Sequence, residues 1–552
     1  MATIITSNDL IPINISFKVS AGPGAGKTHW LVNHIRNVIS HSCEINVVKR
    51  IACITYTNVG TDTITERLGE SNEVVDVCTI HSFLYANVVK PYVHLIAAEL
   101  GLSNTELAVV DEANFKTGGI ANIVLKRLKK TWADQKCFLQ NLKNAHWIFD
   151  NHQFTYYKPL HPTPYNTHKG KRYFANNDYL EFKKHLWRSG YISFEDIMYL
   201  SSLLFARYPN IYKLIIAKYP YLFVDEFQDT LPCVIDFLKR LGENGTVIGV
   251  VGDRAQCIYE FLGATYTQFD LFHLQGMIEY EIHGNRRSSK QIIDFLNNIR
   301  TDFKQEHLSG ITGPIPCIMV GNMLDCYQRC LQVNGTDNVR SLAYSNILVN
   351  SMRVQNGGRE VENILEEDFD SNPVRSLVVK TLIKAVEFTK MGDLRSAWHQ
   401  LDVLDRDRER SIVILRKLLD HYSQYKDGTL MELYNYLVGI GMELPSFRDG
   451  SIKTYYETHS YLDAAIGVKG ADSDEQHKTI HKSKGDEFKN VFIILSDEKD
   501  LEFIINPNLS GNTTHRVFYV AASRAKERLV INVPTLNDDN RLALCNLPVE
   551  II

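Results

Sequence analysis

The stretch Phe17-Lys-Val-Ser-Ala-Gly-Pro-Gly-Ala-Gly-Lys-Thr28 governs how the rest of the chain is read. An apolar strand at Phe17 to Val19 runs into a loop of small residues. A helical pattern follows, with Trp30, Leu31, His34, Ile35, Val38 and Ile39 on one side. Strand, glycine-rich loop and helix in that order are the context a Walker A phosphate loop requires. Small side chains at Gly22, Gly24, Ala25 and Gly26 let backbone N–H groups close around phosphate oxygens, and the new helix adds its positive end. In this register Lys27 reaches the β- and γ-phosphates and Thr28 holds Mg²⁺. Ala21 stands where the motif usually opens on glycine.

A phosphate loop needs an acidic partner from a second strand. Tyr221-Leu-Phe-Val-Asp-Glu-Phe-Gln-Asp229 supplies one, since four apolar residues end on Asp225 and Glu226. Ligand sites of parallel sheets lie at that carboxyl end. Asp225 fits the Mg²⁺-binding role and Glu226 fits the base for an attacking water. An acidic pair after an apolar run reads equally as a solvated loop; the upstream phosphate loop decides between the two.

Bulk properties bound the alternatives. The chain has 552 residues, for roughly three to four domains. With 44% hydrophobic and 22% charged residues it is neither disordered nor fibrous. The net charge of -4 gives no global hint of nucleic acid, so any basic footprint is local. No run approaches the roughly 18 apolar residues of a membrane span. Met1 to Ser16 does not read as a signal peptide, so the expectation is a cytoplasmic protein without a membrane partner. The 10 cysteines form no C-x-x-C pair and read as reduced thiols. Neither they nor the 19 dispersed histidines suggest a structural metal.

Further motifs then fall in order. They are Ile54-Thr-Tyr-Thr-Asn58, Thr79-Ile-His-Ser-Phe83, Val224-Asp-Glu-Phe-Gln-Asp-Thr230, and Gly252-Asp-Arg-Ala-Gln-Cys-Ile-Tyr-Glu-Phe-Leu-Gly-Ala264. Asn285-Arg-Arg-Ser288, Thr479-Ile-His-Lys-Ser-Lys-Gly-Asp-Glu-Phe488 and Tyr519-Val-Ala-Ala-Ser-Arg-Ala525 follow. With them the chain resembles the UvrD/Rep type of superfamily 1 (3′-5′) DNA helicases, over both ends of its length.

The resemblance implies an α/β protein of two RecA-like P-loop domains with parallel sheets, each interrupted by a mainly helical insertion, with ATP between them. The first domain is expected over 1–89 and 191–285, with a basic helical insertion at 90–190. The second is expected over 286–350 and 466–552, with a reduced helical insertion at 351–465. The resemblance gives Gln256 a γ-phosphate contact and Gln228 a part in orienting the water. It makes Arg287 and Arg524 arginine fingers, sets Glu487 on the ribose with Gly485 beside the nucleotide, and puts Arg286 where an aromatic commonly stacks on adenine. Tyr56, Tyr259 and Phe261 fall where the family stacks bases or supports the stacking, and Thr79, His81 and Thr479 where it touches the strand's backbone. The cofactors implied are ATP and Mg²⁺.

Charge adds evidence of its own. Leu84 to Pro220 holds 18 Lys and Arg against 10 Asp and Glu, a balance of +8 that leaves -12 on the rest. Lys126, Arg127, Lys129, Lys130, Lys169, Lys171, Arg172, Lys183 and Lys184 lie there among Tyr156, Tyr157, Tyr165, Tyr173, Phe174 and Trp187. Such a lobe attracts nucleic-acid phosphate, or is a solvated helix face. The second insertion, with 15 Lys and Arg against 19 Asp and Glu, carries no such excess.

Several positions depart from the family. The first glutamine is Gln135, so no glutamine precedes the phosphate loop to read adenine. Leu262 replaces an arginine that often contacts DNA, and Asp486 replaces an apolar residue. No Phe, Tyr or Trp follows Tyr519, in the region where repair helicases carry a strand-splitting aromatic. The compact layout resembles the helicase-like subunit of Gabija-type antiphage defence systems, in which a short UvrD-like protein pairs with a separate nuclease. The expected function is therefore an ATP-dependent 3′-5′ single-stranded DNA translocase or helicase, in antiphage defence or DNA repair, on single-stranded or 3′-tailed DNA. The alternative is a nucleotide-gated, DNA-sensing ATPase subunit that regulates a partner nuclease, of the OLD family, and unwinds little.

Overall fold

A computed structural model describes residues 2–552 apart from 103–105, 117, 131–134, 165–171, 261–262, 335–338, 355–364, 366–369, 403, 405–407 and 469–475. The chain divides into two compact units, Met1–Gly284 and Asn285–Ile552.

The first unit is built on seven strands. Their spatial order is Thr3–Ile4, Ile278–Ile282, Phe17–Ala21, Val247–Gly252, Tyr221–Val224, Ile51–Thr55, Val75–Thr79. Every neighbouring pair is parallel. Both faces are covered, so the central strands read as continuous apolar runs, and alternate residues serve opposite layers. Tyr221 and Phe223 join Phe17, Val19, Leu31 and Ile35 on the side of helix Lys27–His41. Leu222 and Val224 join Phe83, Leu238, Ile248 and Phe269 on the other. Because the strands run the same way, their carboxyl ends share one edge. That edge presents the loop after Ala21, Tyr56 after Thr55, His81 after Thr79, Asp225 after Val224 and Asp253 after Gly252.

Residues 90–190 are not simply helical. An antiparallel hairpin, Ala145–Asp150 with Gln153–Pro159, crosses the insertion beside helices Gly118–Arg127, Gln135–Lys143 and Asn176–Arg188. The aromatic residues Trp147, Phe149, Phe154, Tyr156 and Tyr157 favour a pleated strand. The turn at Asn151 and His152 is left-handed at both residues, with φ of 48° and 64°, as a tight hairpin demands. The count of basic residues concealed this period-2 pattern.

The second unit carries six parallel strands in the order His477–Thr479, Val339–Ala343, Phe488–Ile494, Ala525–Val533, Cys317–Val320, Glu550–Ile551. Among the described residues, the stretch between helix Asn346–Val354 and strand His477–Thr479 is helical, with its own core around Leu382, Ile383, Leu418, Leu433 and Tyr461. Arg375 fastens it. Its guanidinium donates to both oxygens of Asp370 (2.7 and 2.8 Å) and to the Pro445 and Ser446 carbonyls (3.0 Å each), and lies on the Phe447 ring. No helix among the described residues is long and apolar enough to cross a membrane.

The helix after the phosphate loop packs through a buried histidine of its own. His34 stacks on Trp30 (5.3 Å) and meets the rings of Phe17 and Phe223, and neither ring nitrogen has a hydrogen-bond partner. Burial lowers its pKa to about 4. Between that value and the ordinary 6.5 the folded chain binds fewer protons than the unfolded chain. The contribution is thus present above pH 6.5 and lost as pH falls through 4, on the order of 3 kcal/mol in all. His34→Phe should narrow the gap between melting temperatures at about pH 7.5 and pH 5 by several degrees; an unchanged gap contradicts this assignment.

Candidate functional site

The phosphate loop has the conformation its glycines permit. Gly26 sits at φ +82°, which an L side chain adopts only with strain, and a Cβ there would meet the Ser7 side chain at 3.3 Å. Gly24 is also left-handed (φ 70°), and Ala25 N donates to Gly22 O (3.3 Å), closing the loop beneath helix Lys27–His41. Lys27 is 9% exposed. Its ammonium donates to the Ala21 and Gly22 carbonyls (3.3 Å each), so the cation lies across the loop it serves.

The carboxylates lie where the parallel edge delivers them. Thr28 Oγ1 donates to Asp225 Oδ2 (3.1 Å), which joins the two expected metal-binding residues. Burial, and then the charge of Glu226, push the Asp225 carboxyl up to about 6, with Lys27 opposing. Two hard oxygen donors with excess negative charge fit a divalent cation. Glu226 holds a left-handed backbone (φ 52°, ψ 41°), uncommon outside glycine. This places strain, of order 1–3 kcal/mol, at the residue expected to act as base.

From Glu226 a run of hydrogen bonds crosses to the next strand end. Gln228 Nε2 donates to Glu226 Oε2, and Gln228 Oε1 accepts from Asp253 N (3.0 Å). Asp253 Oδ2 accepts from Gln256 Nε2 (2.8 Å). The side chains of Thr28, Asp225, Glu226, Gln228 and Gln256 are thereby brought together in the first unit. Asp253, which no sequence expectation singled out, tethers Gln228 and Gln256. It is 1% exposed, and its signal was an acid between a buried strand and a glutamine.

The expected nucleic-acid residues of this unit occupy the same edge. Tyr56 and Tyr259 stack on each other (5.3 Å, 26°). Burial and then Asp229 raise both hydroxyl pKa values, that of Tyr259 to about 12. Thr79 caps helix Ile80–Leu84, accepting from Ser82 N (3.3 Å). His81 presents its ring to Phe194 (5.7 Å), and burial lowers its pKa. Phe261 and Leu262 lie outside the described residues, as do Tyr165, Lys169 and Lys171.

The basic lobe divides into two kinds of cation. Lys183 is not a surface charge. It is fully buried, 2.8 Å from Asp196, and also paired with Glu112. Asp196 further accepts from the indoles of Trp147 (2.8 Å) and Trp187 (3.1 Å). Lys130 pairs with Asp178 (2.7 Å) and Lys184 with Glu181 (2.8 Å). Lys126, Arg127, Lys129 and Arg172 are exposed, as are Tyr156 (47%) and Tyr173 (46%).

In the second unit two groups occupy opposite edges of the sheet. At the amino edge Arg287 pairs with Glu487 (2.7 Å) and donates to Ser523 O (2.9 Å). Arg524 is 2% exposed and donates to Val520 O (3.1 Å) and to Ser523 Oγ (3.0 Å). Burial alone would raise the Glu487 carboxyl, but Arg287 and Lys526 hold it at about 2. Gly485 is left-handed (φ 95°) just before it, and Arg286 is exposed. At the carboxyl edge lie Thr479, 7% exposed, and Tyr344, 43% exposed, whose ring meets His481 at 5.8 Å. Sequence reasoning missed Tyr344. An aromatic directly after a buried strand, whose last residue Ala343 is in register with Thr479, was the available signal.

Comparison with known proteins accords with this geometry. Residues 7–275 match the UvrD/REP helicase N-terminal domain, and residues 471–534 match the UvrD-like helicase C-terminal domain. Together the two matches take in more than half of the chain, and the chain belongs to the UvrD/REP helicase family. Among its relatives is the Gabija protein GajB of Bacillus cereus (strain HuB5-5), 28% identical over 333 residues, or 51% of this chain and 46% of the relative. DNA helicase II of Rickettsia typhi is 26% identical over 291 residues, 52% of this chain and 42% of the relative. The ATP-dependent DNA helicase PcrA of Bacillus subtilis is 25% identical over 290 residues, 50% and 36% respectively. The chain thus spans less than half the length of these curated relatives.

Gly252 makes the Gln228 bridge possible, because a Cβ there would lie 2.4 Å from Gln228 Oε1. Gly252→Ala should cut ATP turnover roughly ten- to hundredfold through displacement of Gln228. Nucleotide affinity, measured by equilibrium titration, should change far less. Undiminished turnover would show that the bridge is not needed.

Proposed function

We propose that the chain is an Mg·ATP-driven motor that moves 3′→5′ along single-stranded DNA as a translocase or helicase. The observation that carries this reading is the hydrogen-bonded run from Thr28 through Asp225, Glu226, Gln228 and Asp253 to Gln256. It connects a phosphate loop to a strand end that also bears the Tyr56–Tyr259 pair. Family membership supports it, and so do the names of the relatives. The division into 1–89 with 191–285, 90–190, 286–350 with 466–552, and 351–465 belongs to the same reading.

The chemistry follows from the residues. Backbone N–H groups of Gly24 to Thr28 and the Lys27 ammonium bind the phosphates. Thr28 Oγ1 and Asp225 would hold Mg²⁺, which supplies positive charge to the β- and γ-phosphate oxygens. Glu226 accepts the proton of the attacking water, and Gln228 fixes the orientation of the Glu226 carboxylate. Arg287 and Arg524 act as arginine fingers on the transferred phosphoryl, worth about 10³–10⁵ in rate in comparable enzymes. Glu487 is the resting counter-ion of Arg287 and the group for the ribose. Tyr56 and Tyr259 form the stacking platform for a base in the first unit, and the exposed Tyr344 offers an aromatic face of its own in the second.

A second reading has its own support. Similarity to a Gabija protein, and Leu262 at a position where the family often has a DNA-contacting arginine, favour a nucleotide-gated, DNA-sensing subunit that regulates a partner nuclease. The assay that separates the two is ATP hydrolysis with and without single-stranded DNA, followed by unwinding of a 3′-tailed duplex. The motor predicts strong stimulation with unwinding. Stimulation without unwinding supports the sensor, and neither effect sinks the motor. In the same assay Glu226→Gln should bind ATP normally and turn over about 10²–10⁴ times more slowly; retained turnover removes Glu226 as the base.

A further inference from the structure

Lys18 lies in the strand that feeds the phosphate loop, paired in register with Val250 on one side and Glu279 on the other. A parallel strand covered on both faces ordinarily carries apolar residues throughout, as Phe17 and Val19 do here. Lys18 is nevertheless 6% exposed. A buried ammonium is costly unless every proton is engaged, and the partners of this one identify its task. It donates to the carbonyls of Phe269 (3.5 Å), Asp270 (3.3 Å) and Phe272 (3.3 Å), and pairs with Glu279 (2.8 Å). Phe269 and Asp270 belong to the last turn of helix Tyr266–Leu271, and Phe272 follows it directly. The cation therefore satisfies carbonyls that a helix end leaves without partners, at the negative end of its dipole.

The helix so held ends the segment that follows strand Val247–Gly252. Asp270 returns the connection, since its carboxylate pairs with Arg254 (2.6 Å), whose guanidinium lies over the Tyr266 ring (5.6 Å). Arg254 sits between Asp253, which tethers Gln256 and Gln228, and the run to Tyr259, which stacks on Tyr56. A contiguous path thus runs from the phosphate-loop strand through the Lys18 ammonium, the helix end, Asp270 and Arg254 to the γ-phosphate contact and the base platform. Three residues after Lys18 the same strand offers the Ala21 carbonyl to Lys27 (3.3 Å).

We infer that Lys18 is a positioning residue that couples the phosphate loop to helix Tyr266–Leu271 and, through Asp270 and Arg254, to residues 254–259, so that occupancy of the base platform is transmitted to ATP turnover. The inference rests on the motor reading above. The simpler role, capping one short helix, would affect stability without affecting coupling.

The test compares the wild type, Lys18→Met and Lys18→Arg as full chains. ATP hydrolysis is followed over a range of ATP concentrations, with and without a saturating thymidine oligonucleotide, beside melting temperatures. Lys18→Met should lower the stimulation by the oligonucleotide about tenfold, within the range of ordinary coupling energies, and Lys18→Arg should restore most of it. The inference fails if the wild type is stimulated and Lys18→Met is stimulated equally. It fails also if both variants lose stimulated and unstimulated rates in parallel with their melting temperatures, as a purely structural cap requires. A wild type that the oligonucleotide does not stimulate overturns the motor reading and the inference with it.

Discussion

Everything at this site depends on two adjacent carboxylates at the end of a buried strand. Desolvation and mutual repulsion both favour the protonated forms, and the Asp225 carboxyl is accordingly pushed up to about 6. The surrounding structure supplies what opposes this. Lys27 offers a cation from the phosphate loop, Thr28 donates to Asp225, and Gln228 donates to Glu226. A site in this condition gains strongly from a divalent cation with a phosphate chain, because the ligand brings the charge that the fold lacks. Nucleotide binding and carboxylate ionisation are then one linked equilibrium.

In the proposed motor, this same edge of the sheet links hydrolysis to the bound strand. Parallel strands deliver the phosphate loop, Tyr56, His81, Asp225 and Asp253 to one side of the first unit. Gln256 and Tyr259 are three residues apart beyond Asp253, one hydrogen-bonded to Asp253 and the other stacked on Tyr56. A small displacement of that segment moves both together. In the second unit the sheet keeps two tasks apart, with Arg287, Glu487 and Arg524 at its amino edge and Thr479 and Tyr344 at its carboxyl edge.

Much of the first site was legible in the sequence because its chemistry is local. A phosphate loop needs small residues before Lys27 and Thr28, and an acidic strand end needs a short apolar run before Asp225. Both are written in consecutive letters. What stayed hidden depends on contacts remote in sequence. Lys183 counts as one more positive charge until Asp196 and Glu112 are seen to enclose it. Lys18 reads as an interruption of a strand until the helix end around residue 270 meets it. The hairpin at 145–159 was masked by its basic neighbours, although its aromatic spacing encodes it. Asp253 and Tyr344 gave only single-letter signals, which gain meaning from register in a parallel sheet.

Burial and the charge of Glu226 favour protonation of Asp225 before Mg·nucleotide binds, and a bound cation favours its ionised form. Calorimetry in buffers of different ionisation enthalpy counts the protons released when a non-hydrolysable Mg·ATP analogue binds near pH 6. The wild type should release more protons than Asp225→Asn, because burial and the charge of Glu226 raise the Asp225 carboxyl above the ordinary carboxylate range. Equal proton release by the two proteins would contradict the account.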